Sequence, residues 1–166
     1  MKRLSLLRHG KSSWKDLSIP DSDRALNKRG KRDAPRMGAR FARHYDVGDC
    51  LVITSPAKRA LATARLFAEA AGYPPEKIAV DDRLYLAEVD DIARVVQEQD
   101  SAVAHLVVIG HNPGFTDFVN RATRHFIENL PTCGLAVLRY DIDGWADVTR
   151  EPATLAEFDY PKKQHI

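Results

Sequence analysis

Cysteines are scarce in this sequence, and long apolar runs are missing from it. Its two cysteines, Cys50 and Cys133, stand far apart, with neither a CxxC pair nor a metal-ligand spacing. No stretch approaches the ~20 consecutive apolar residues of a membrane span. The apolar run after Lys2 and Arg3 ends at Arg8, too early for a signal peptide. We therefore expect a reduced, cytoplasmic protein that does not associate with membranes.

An excess of one charge is also lacking. Lysine and arginine total 25, aspartate and glutamate 23, and the formal net charge is +2. This balance gives no reason to expect nucleic acid as a partner. The motifs GxGxxG and GxxxxGK(S/T) are both absent, which argues against a nucleotide-binding domain. The length and ordinary composition predict one globular domain over residues 1–166.

Strand-like and helix-like segments alternate along the chain. The predicted strands lie at residues 3–7, 51–54, 78–80 and 106–109, and the predicted helices at 28–44, 56–71, 90–99 and 113–122. In the second and fourth helices Ser55 and Asn112 read as N-caps, each followed by a proline. The alternation predicts a three-layer α/β fold with a mostly parallel central sheet flanked by helices.

The C-terminal part of the chain carries a hairpin signal. Two apolar runs, Leu135–Tyr140 and Trp145–Thr149, flank the dipeptide Asp143-Gly144. Asp-Gly between such runs predicts a tight β-hairpin, which we place at the edge of the sheet. The last fifteen or so residues, with Pro152 and Pro161, read as an irregular tail.

Polar residues follow three predicted strands at the point where each strand ends. They are Arg8-His9-Gly10, Ser55-Pro56 with Arg59 one turn later, and Gly110-His111-Asn112-Pro113. Ligands of open α/β sheets bind beyond the carboxyl ends of the strands, so these segments are expected to converge. Each residue alone has a structural explanation, such as capping, packing or a solvated surface. The functional inference rests on their coincidence.

This combination of residues suits a phosphate group. Arginine matches phosphate oxygens bidentately, helix N-termini present free N–H groups, and imidazole can act as nucleophile or proton carrier. Gly10 would let the backbone approach the ligand. No carboxylate cluster or histidine pair indicates a catalytic metal. We therefore expect no metal and no other cofactor, with arginines supplying the positive charge.

Three motifs give the chain a specific resemblance. Leu7-Arg8-His9-Gly10 resembles the RHG signature of the histidine phosphatase superfamily, which includes cofactor-dependent phosphoglycerate mutases. The segment 55–60, with Thr63-Ala64, resembles the SPxxRAxxTA motif of that family, and 108–112 resembles its second histidine motif.

Within the superfamily, the whole chain is most similar to the short SixA-like phosphohistidine phosphatases. Residues 11–14, 132–134 and 23–26 with Gly30 fit that branch, the last resembling DRPLTxxG with Ala25 in place of proline. The resemblance implies a phosphoglycerate-mutase-like fold and a histidine-phosphorylated protein as substrate.

The resemblance also implies roles for individual residues. His9 would attack phosphorus and carry the phosphoryl group until water removes it, while Arg8, Arg59 and His111 would stabilise the transition state. The further residues expected to bind phosphate or substrate are Gly10, Ser12, Arg24 and Asn112.

The chain departs from the family in one segment. Larger members place a general-acid glutamate in an LxE segment, whereas the matching segment here reads Leu84-Tyr85-Leu86. Glu88 is a possible proton donor, or it starts a helix; His111, Asp16 and Asp23 are alternatives. Because the imidazole of phosphohistidine leaves more readily than an alkoxide, the missing acid favours phosphohistidine over phosphate monoesters.

Other interpretations remain open from the sequence alone. One is a mutase or small-molecule phosphatase of the same superfamily, and another is a catalytically silent phosphoprotein-binding module.

The predicted helix 28–44 carries a stripe of arginines, at positions 29, 32, 36, 40 and 43. Such a stripe is a solvated face or a docking surface for an acidic protein.

Overall fold

The computed structural model describes residues 1–163 of the chain, and its centre is a six-stranded sheet. The strands are β1 (Lys2–Arg8), β2 (Cys50–Thr54), β3 (Ala79–Val80), β4 (His105–Gly110), β5 (Leu135–Tyr140) and β6 (Thr154–Asp159). They are ordered β3-β2-β4-β1-β5-β6. The first four are parallel, and β5 and β6 are antiparallel to their neighbours, which confirms the mostly parallel sheet.

Helices cover both faces of the sheet. They are α1 (Lys28–His44), α2 (Lys58–Ala71), α3 (Val89–Gln97) and α4 (Gly114–Thr123). Alternate residues of β4 point to opposite faces. Val107 and Ile109 accordingly join one apolar cluster with α1 and α2, and Leu106 and Val108 join the other with α3 and α4. The predicted three-layer architecture is therefore confirmed.

Helix α1 occupies the predicted range and packs closely on α2. Its N-cap is Asn27, whose Oδ1 accepts a hydrogen bond from the Gly30 N–H at 2.9 Å. A Cβ atom at Gly38 would lie 2.2 Å from the carbonyl oxygen of Phe67 in α2. The two helices thus approach at a point where only glycine fits.

Two predicted helix starts differ from the structure. Helix α2 begins at Lys58 rather than Pro56, with Ala57 at its N-cap. The Ser55 hydroxyl accepts a hydrogen bond from the Ala57 N–H at 3.2 Å, just ahead of the helix, and also lies 2.7 Å from His111 Nε2. Helix α4 begins at Gly114, one residue later than predicted. Asn112 nevertheless contributes to that helix, since its Oδ1 accepts a hydrogen bond from the Thr116 N–H at 3.2 Å.

The tight hairpin at Asp143-Gly144 was a wrong prediction. Strand β5 does pair with a C-terminal strand at the edge of the sheet, but that strand is β6, within the segment predicted as an irregular tail. Residues 145–147 form a 3-10 turn instead. Trp145 is fully buried, and its indole N–H donates to the Val103 carbonyl at 2.9 Å. Burial of this large side chain draws the segment into the core.

The arginine stripe on α1 is only partly a free surface. Arg29 and Arg32 form ion pairs with the buried Asp33. Arg40 donates to the carbonyl oxygens of Tyr160 and Pro161, both at 2.9 Å, and so holds the chain after β6. Among residues 1–163, no helix is long and apolar enough to cross a membrane.

Candidate active site

A cavity of about 300 Å³ lies where β1 and β4 end, and it brings the three predicted segments together. Its wall includes all four predicted catalytic residues: Arg8, His9, Arg59 and His111. Three of the predicted binding residues also line it, namely Ser12, Arg24 and Asn112. A larger cleft, of about 520 Å³, lies between α3, α4 and residues 148–152 and contains none of these residues.

His9 follows β1 directly and is nearly buried. Its Nδ1 lies 2.8 Å from the Gly10 carbonyl oxygen. Because a carbonyl oxygen can only accept, Nδ1 carries the proton and Nε2 presents its lone pair. The Nε–H of Arg59 donates to that Nε2 at 3.3 Å. Burial first, and then the nearby arginines, lower the pKa of His9 to about 4. The imidazole is therefore neutral at pH 7.

Arg59 extends from the first turn of α2 and is almost fully buried. Its Nη2 lies 3.4 Å from the His111 Nδ1, so the guanidinium group spans both histidines. Thr63, one turn further along α2, donates to the Arg59 carbonyl oxygen and accepts from the Gly10 N–H, at 2.7 and 2.9 Å. This link explains why the threonine of the SPxxRAxxTA motif accompanies the arginine.

His111 faces His9 across the cavity, with their ring centroids 5.2 Å apart. Its Nε2 lies 2.7 Å from the Ser55 hydroxyl oxygen. Burial, followed by the interactions with His9 and Arg59, lowers the pKa of His111 to about 3. Both histidines are thus uncharged, and the positive charge of the cavity comes from its arginines and from Lys11, which also lines it.

Arg8 supplies a second guanidinium group. Its Nη1 donates to the Leu130 carbonyl oxygen at 3.0 Å, while its buried Nε finds no acceptor among residues 1–163. Burial and the neighbouring Arg59 lower the pKa of Arg8. Over the same residues, no group of three histidine, cysteine, aspartate or glutamate side chains is arranged to hold a metal ion.

Arg24 and its neighbours form the outer wall. Its Nη1 donates to the Ser12 hydroxyl, and its guanidinium carbon lies 3.7 Å from the ring centroid of Trp14. Asn112 also lines the cavity, but its Nδ2 donates to the carbonyl oxygen of Leu130 and to Asn129, both at 2.9 Å.

Sequence reasoning did not single out Asp21, whose side chain lies in the cavity wall. Its carboxylate accepts hydrogen bonds from Arg24, Arg59 and the hydroxyl of Tyr85. Burial acts to raise the pKa of Asp21, but these hydrogen bonds outweigh it and hold the pKa well below its usual range. No local sequence signal marks Asp21, because its loop meets the site only in the folded chain.

Two predicted site residues lie outside the cavity wall. Gly10 packs against α1, where an added Cβ would lie 3.0 Å from the Gly30 Cα and 3.1 Å from the Cys133 sulfur, so its small size serves packing. Glu88 is exposed at the N-cap of α3, and its N–H donates to Asp91 at 3.1 Å. This position corresponds to a helix start, the alternative that the sequence left open.

The position of the missing acid is occupied by an apolar side chain. Leu86 lines the cavity, is 53% exposed and has a positive φ of 49°. The two other acidic alternatives, Asp16 and Asp23, are exposed and do not line the cavity. The described residues therefore place one carboxylate in the cavity wall, that of Asp21, and it is ionised.

Comparison with known proteins bears directly on this site. The model of the histidine phosphatase superfamily (branch 1) matches residues 4–111 of the chain. A curated relative, an uncharacterised chloroplastic protein of Arabidopsis thaliana, is 27% identical over 154 residues, which cover 88% of this chain and 70% of the relative.

Solved structures share the fold over nearly the whole chain. A protein of Agrobacterium tumefaciens assigned as the phosphohistidine phosphatase SixA is 26% identical with a TM-score of 0.78, covering 96% of this chain and 98% of that one. A protein histidine phosphatase SixA complexed with tungstate gives a TM-score of 0.79 at 19% identity, covering 96% and 97%. These matches confirm the resemblance to the SixA-like branch.

Proposed function

The chain belongs to the histidine phosphatase superfamily, and we propose that it is a metal-independent phosphatase that removes the phosphoryl group from phosphohistidine in proteins. The observation that carries this proposal is the state of His9. Its Nε2 is unprotonated and lies beside the guanidinium group of Arg59, inside a cavity lined by Arg8 and Arg24. A neutral imidazole nitrogen surrounded by cations is suited to attack an anionic phosphoryl group.

The proposed reaction has two displacement steps. In the first, the Nε2 lone pair of His9 forms a bond to phosphorus, and the bond from phosphorus to the substrate nitrogen breaks. In the second, a water oxygen attacks phosphorus and the bond to Nε2 breaks; both water protons leave with the phosphate, as dihydrogen phosphate, and the neutral His9 with its proton on Nδ1 is restored. Positioning and electrostatic stabilisation carry most of the catalysis in such transfers.

The arginines have matching roles in this scheme. Arg59 contacts both histidines, and the Nε of Arg8 is a buried donor without an acceptor among residues 1–163. We expect these groups to bind the phosphoryl oxygens and to stabilise the charge of the transition state. A SixA structure with the same fold is complexed with tungstate, a phosphate-like oxyanion, which agrees with the use of this fold to bind such anions.

The exposed rim of the cavity favours a protein substrate, and the lack of an acid in its wall favours a substrate with a good leaving group. Trp14 and Leu86 line the cavity and are 61% and 53% exposed, and Leu17 and Ile19 follow Trp14 as exposed apolar residues. Exposed apolar side chains grouped at a site are typical of protein interaction surfaces. Leu86 stands in place of a general acid, and among residues 1–163 the cavity wall holds no protonated carboxyl group that could donate to an alkoxide leaving group.

A substrate comparison tests the proposal. The purified protein is incubated with EDTA and either a histidine-phosphorylated protein domain or a panel of small phosphate monoesters, and released phosphate is measured. We expect fast release from phosphohistidine, slower release from monoesters and none with His9→Ala. The exposed His125 lies outside the cavity, so His125→Ala serves as the matched control with unchanged activity.

Other outcomes would assign the site differently. Fast turnover of monoesters with slow turnover of phosphohistidine would place the protein among small-molecule phosphatases. Binding of the phosphorylated domain without any release of phosphate would indicate a silent binding module. Loss of activity on addition of EDTA would contradict the metal-independent mechanism.

A further inference from the structure

Asp21 makes more contacts in the site than its position in an exposed loop predicts. It is the first residue of a 3-10 turn, Asp21–Asp23, in the connection between β1 and α1. Both of its carboxylate oxygens are used. Oδ1 accepts from Arg24, with Nη2 at 2.8 Å, and Oδ2 accepts from Arg59 at 3.0 Å and from the Tyr85 hydroxyl.

Asp21 and the two histidines contact different edges of the Arg59 guanidinium group. Asp21 binds the end edge, where Nη1 donates to its backbone oxygen at 2.7 Å and Nη2 to its carboxylate. The side edge, Nε and Nη2, faces the two histidines. Fixing the end edge sets the rotation of the guanidinium plane, because a planar fork held at two points cannot turn. The donors of the side edge are then directed toward His9.

The same carboxylate orders the second arginine. Arg24 is held by Asp21 on one side, by the Ser12 hydroxyl on another, and by the ring of Trp14 against its face. The pKa of Asp21 lies well below its usual range, so the group is an acceptor at neutral pH and cannot donate the catalytic proton. Its contribution is therefore geometric and electrostatic.

We propose that Asp21 is a positioning residue, which holds Arg59 and Arg24 in the orientation that the transferring phosphoryl group requires. This inference rests on the proposed function. It assigns a role to a residue outside the three motifs. It also explains why a net-positive phosphate site keeps a carboxylate in its wall: orientation of the donors outweighs the loss of attraction for the anion.

The kinetic test uses Asp21→Asn, with Asp82→Asn as the matched control. Asp82 is also the first residue of a 3-10 turn, is exposed and does not line the cavity. For Asp21→Asn we expect kcat to fall about 10- to 100-fold, since a misplaced catalytic group costs rates of that order. The inhibition constant of inorganic phosphate should change much less than kcat, because the loss of a negative charge offsets the looser hold of the arginines on the ground-state anion. Asp82→Asn should match the wild type in kcat and in the inhibition constant of phosphate.

A second variant separates geometry from charge. Asp21→Glu keeps the negative charge but moves it outward by one methylene group. If orientation is the function, Asp21→Glu loses kcat as well. Wild-type kcat in either Asp21 variant, or a parallel weakening of phosphate binding in Asp21→Asn, would overturn the inference. A wild-type protein without turnover would instead contradict the proposed function.

An NMR measurement tests the inference without turnover. Rotation about the Nε–Cζ bond of a clamped guanidinium group is slow, so the Nη protons of Arg59 should be resolved in the wild type and averaged in Asp21→Asn. The Arg59 signals are identified from their loss in Arg59→Lys. Equally resolved Nη protons in wild type and Asp21→Asn would overturn the positioning role, whatever the activity of the protein.

Discussion

At the scale of single residues, the chemistry depends on which nitrogen of His9 is free. The Gly10 carbonyl oxygen fixes the proton on Nδ1, and burial keeps the ring neutral, so Nε2 is available without a separate general base. The sequence predicted His9 from the coincidence of three polar segments at strand ends and from the resemblance to the RHG motif, because both signals are carried by short local stretches of sequence. It did not predict Asp21 or Tyr85, whose hydrogen bond joins two loops that are far apart in the chain.

The role of the missing general acid can be tested by placing a carboxyl group at position 86. In Leu86→Glu a carboxyl group would enter the cavity wall at the position of the family's general acid. We expect the ratio of monoester to phosphohistidine turnover to rise at least about tenfold, which is less than the roughly 100-fold or more that a well-positioned general acid contributes. Initial rates on both substrates measure the ratio.

The matched control for this change is Val80→Glu. Val80 is also 53% exposed but does not line the cavity, so the ratio should stay at its wild-type value. An unchanged ratio in Leu86→Glu would contradict the argument that the missing acid sets the choice of substrate.

At the scale of secondary-structure elements, local sequence patterns predicted the elements that they alone determine. They did not predict the elements that depend on contacts with distant parts of the chain. Helix α1 was predicted over its full length because its apolar face repeats at helical spacing. An antiparallel pair does form at the sheet edge, but its predicted tight turn at Asp143-Gly144 was wrong. Asp143-Gly144 is a local signal, whereas the burial of Trp145 and its hydrogen bond to Val103 are tertiary contacts. Strand β6 was not predicted because it is stabilised by its pairing with β5, and its own sequence carries no local pattern that indicates this pairing.

The packing of α1 on α2 can be tested at Gly38. Alanine normally stabilises a helix interior relative to glycine by about 1 kcal/mol. Here the new Cβ would lie 2.2 Å from the Phe67 carbonyl oxygen, so the helices must move apart. We expect Gly38→Ala to lower the free energy of unfolding by about 1–3 kcal/mol, as overpacking does. Urea denaturation measures the change.

Gly144→Ala is the control for that experiment. A Cβ at Gly144 meets its nearest atom at 3.8 Å, and φ is −137°, a conformation open to alanine. Its free energy of unfolding should stay within about 0.5 kcal/mol of the wild type. Stabilisation by Gly38→Ala would show that α1 and α2 are less tightly packed than described.

At the scale of the whole molecule, the sheet order assembles the site. Strand β4 lies between β1 and β2, so segments separated by dozens of residues end side by side. That convergence was predictable from the general rule for parallel sheets. The contacts between loops were not, because they depend on where each loop folds over the sheet.

Among residues 1–163, the fold buries three histidines, which links the stability of the protein to pH. Burial is the main cause that lowers the pKa of His9 and His105 to about 4 and that of His111 to about 3. In the unfolded chain, histidine titrates near ~6.5. Between about pH 6.5 and 4, the unfolded state therefore binds protons that the folded state does not.

The stability of the protein should accordingly fall as the pH is lowered from 6.5 toward 4. Each histidine protonated only in the unfolded state contributes about 1.4 kcal/mol per pH unit. Urea midpoints at pH 7, 6, 5 and 4.5 measure the slope. His105→Gln removes one such group and should make the slope shallower; an identical slope would contradict the pKa shift of His105.

The central claim is that His9 carries the phosphoryl group, and trapping that intermediate tests it most directly. The protein is mixed with a histidine-phosphorylated domain, quenched in alkali within milliseconds to seconds, digested and examined by mass spectrometry. We predict one added phosphoryl group on the peptide that contains His9, in the wild type and in His125→Ala but not in His9→Ala. Turnover without a phosphorylated His9 peptide, or a phosphoryl group on another residue of the enzyme, would contradict this mechanism.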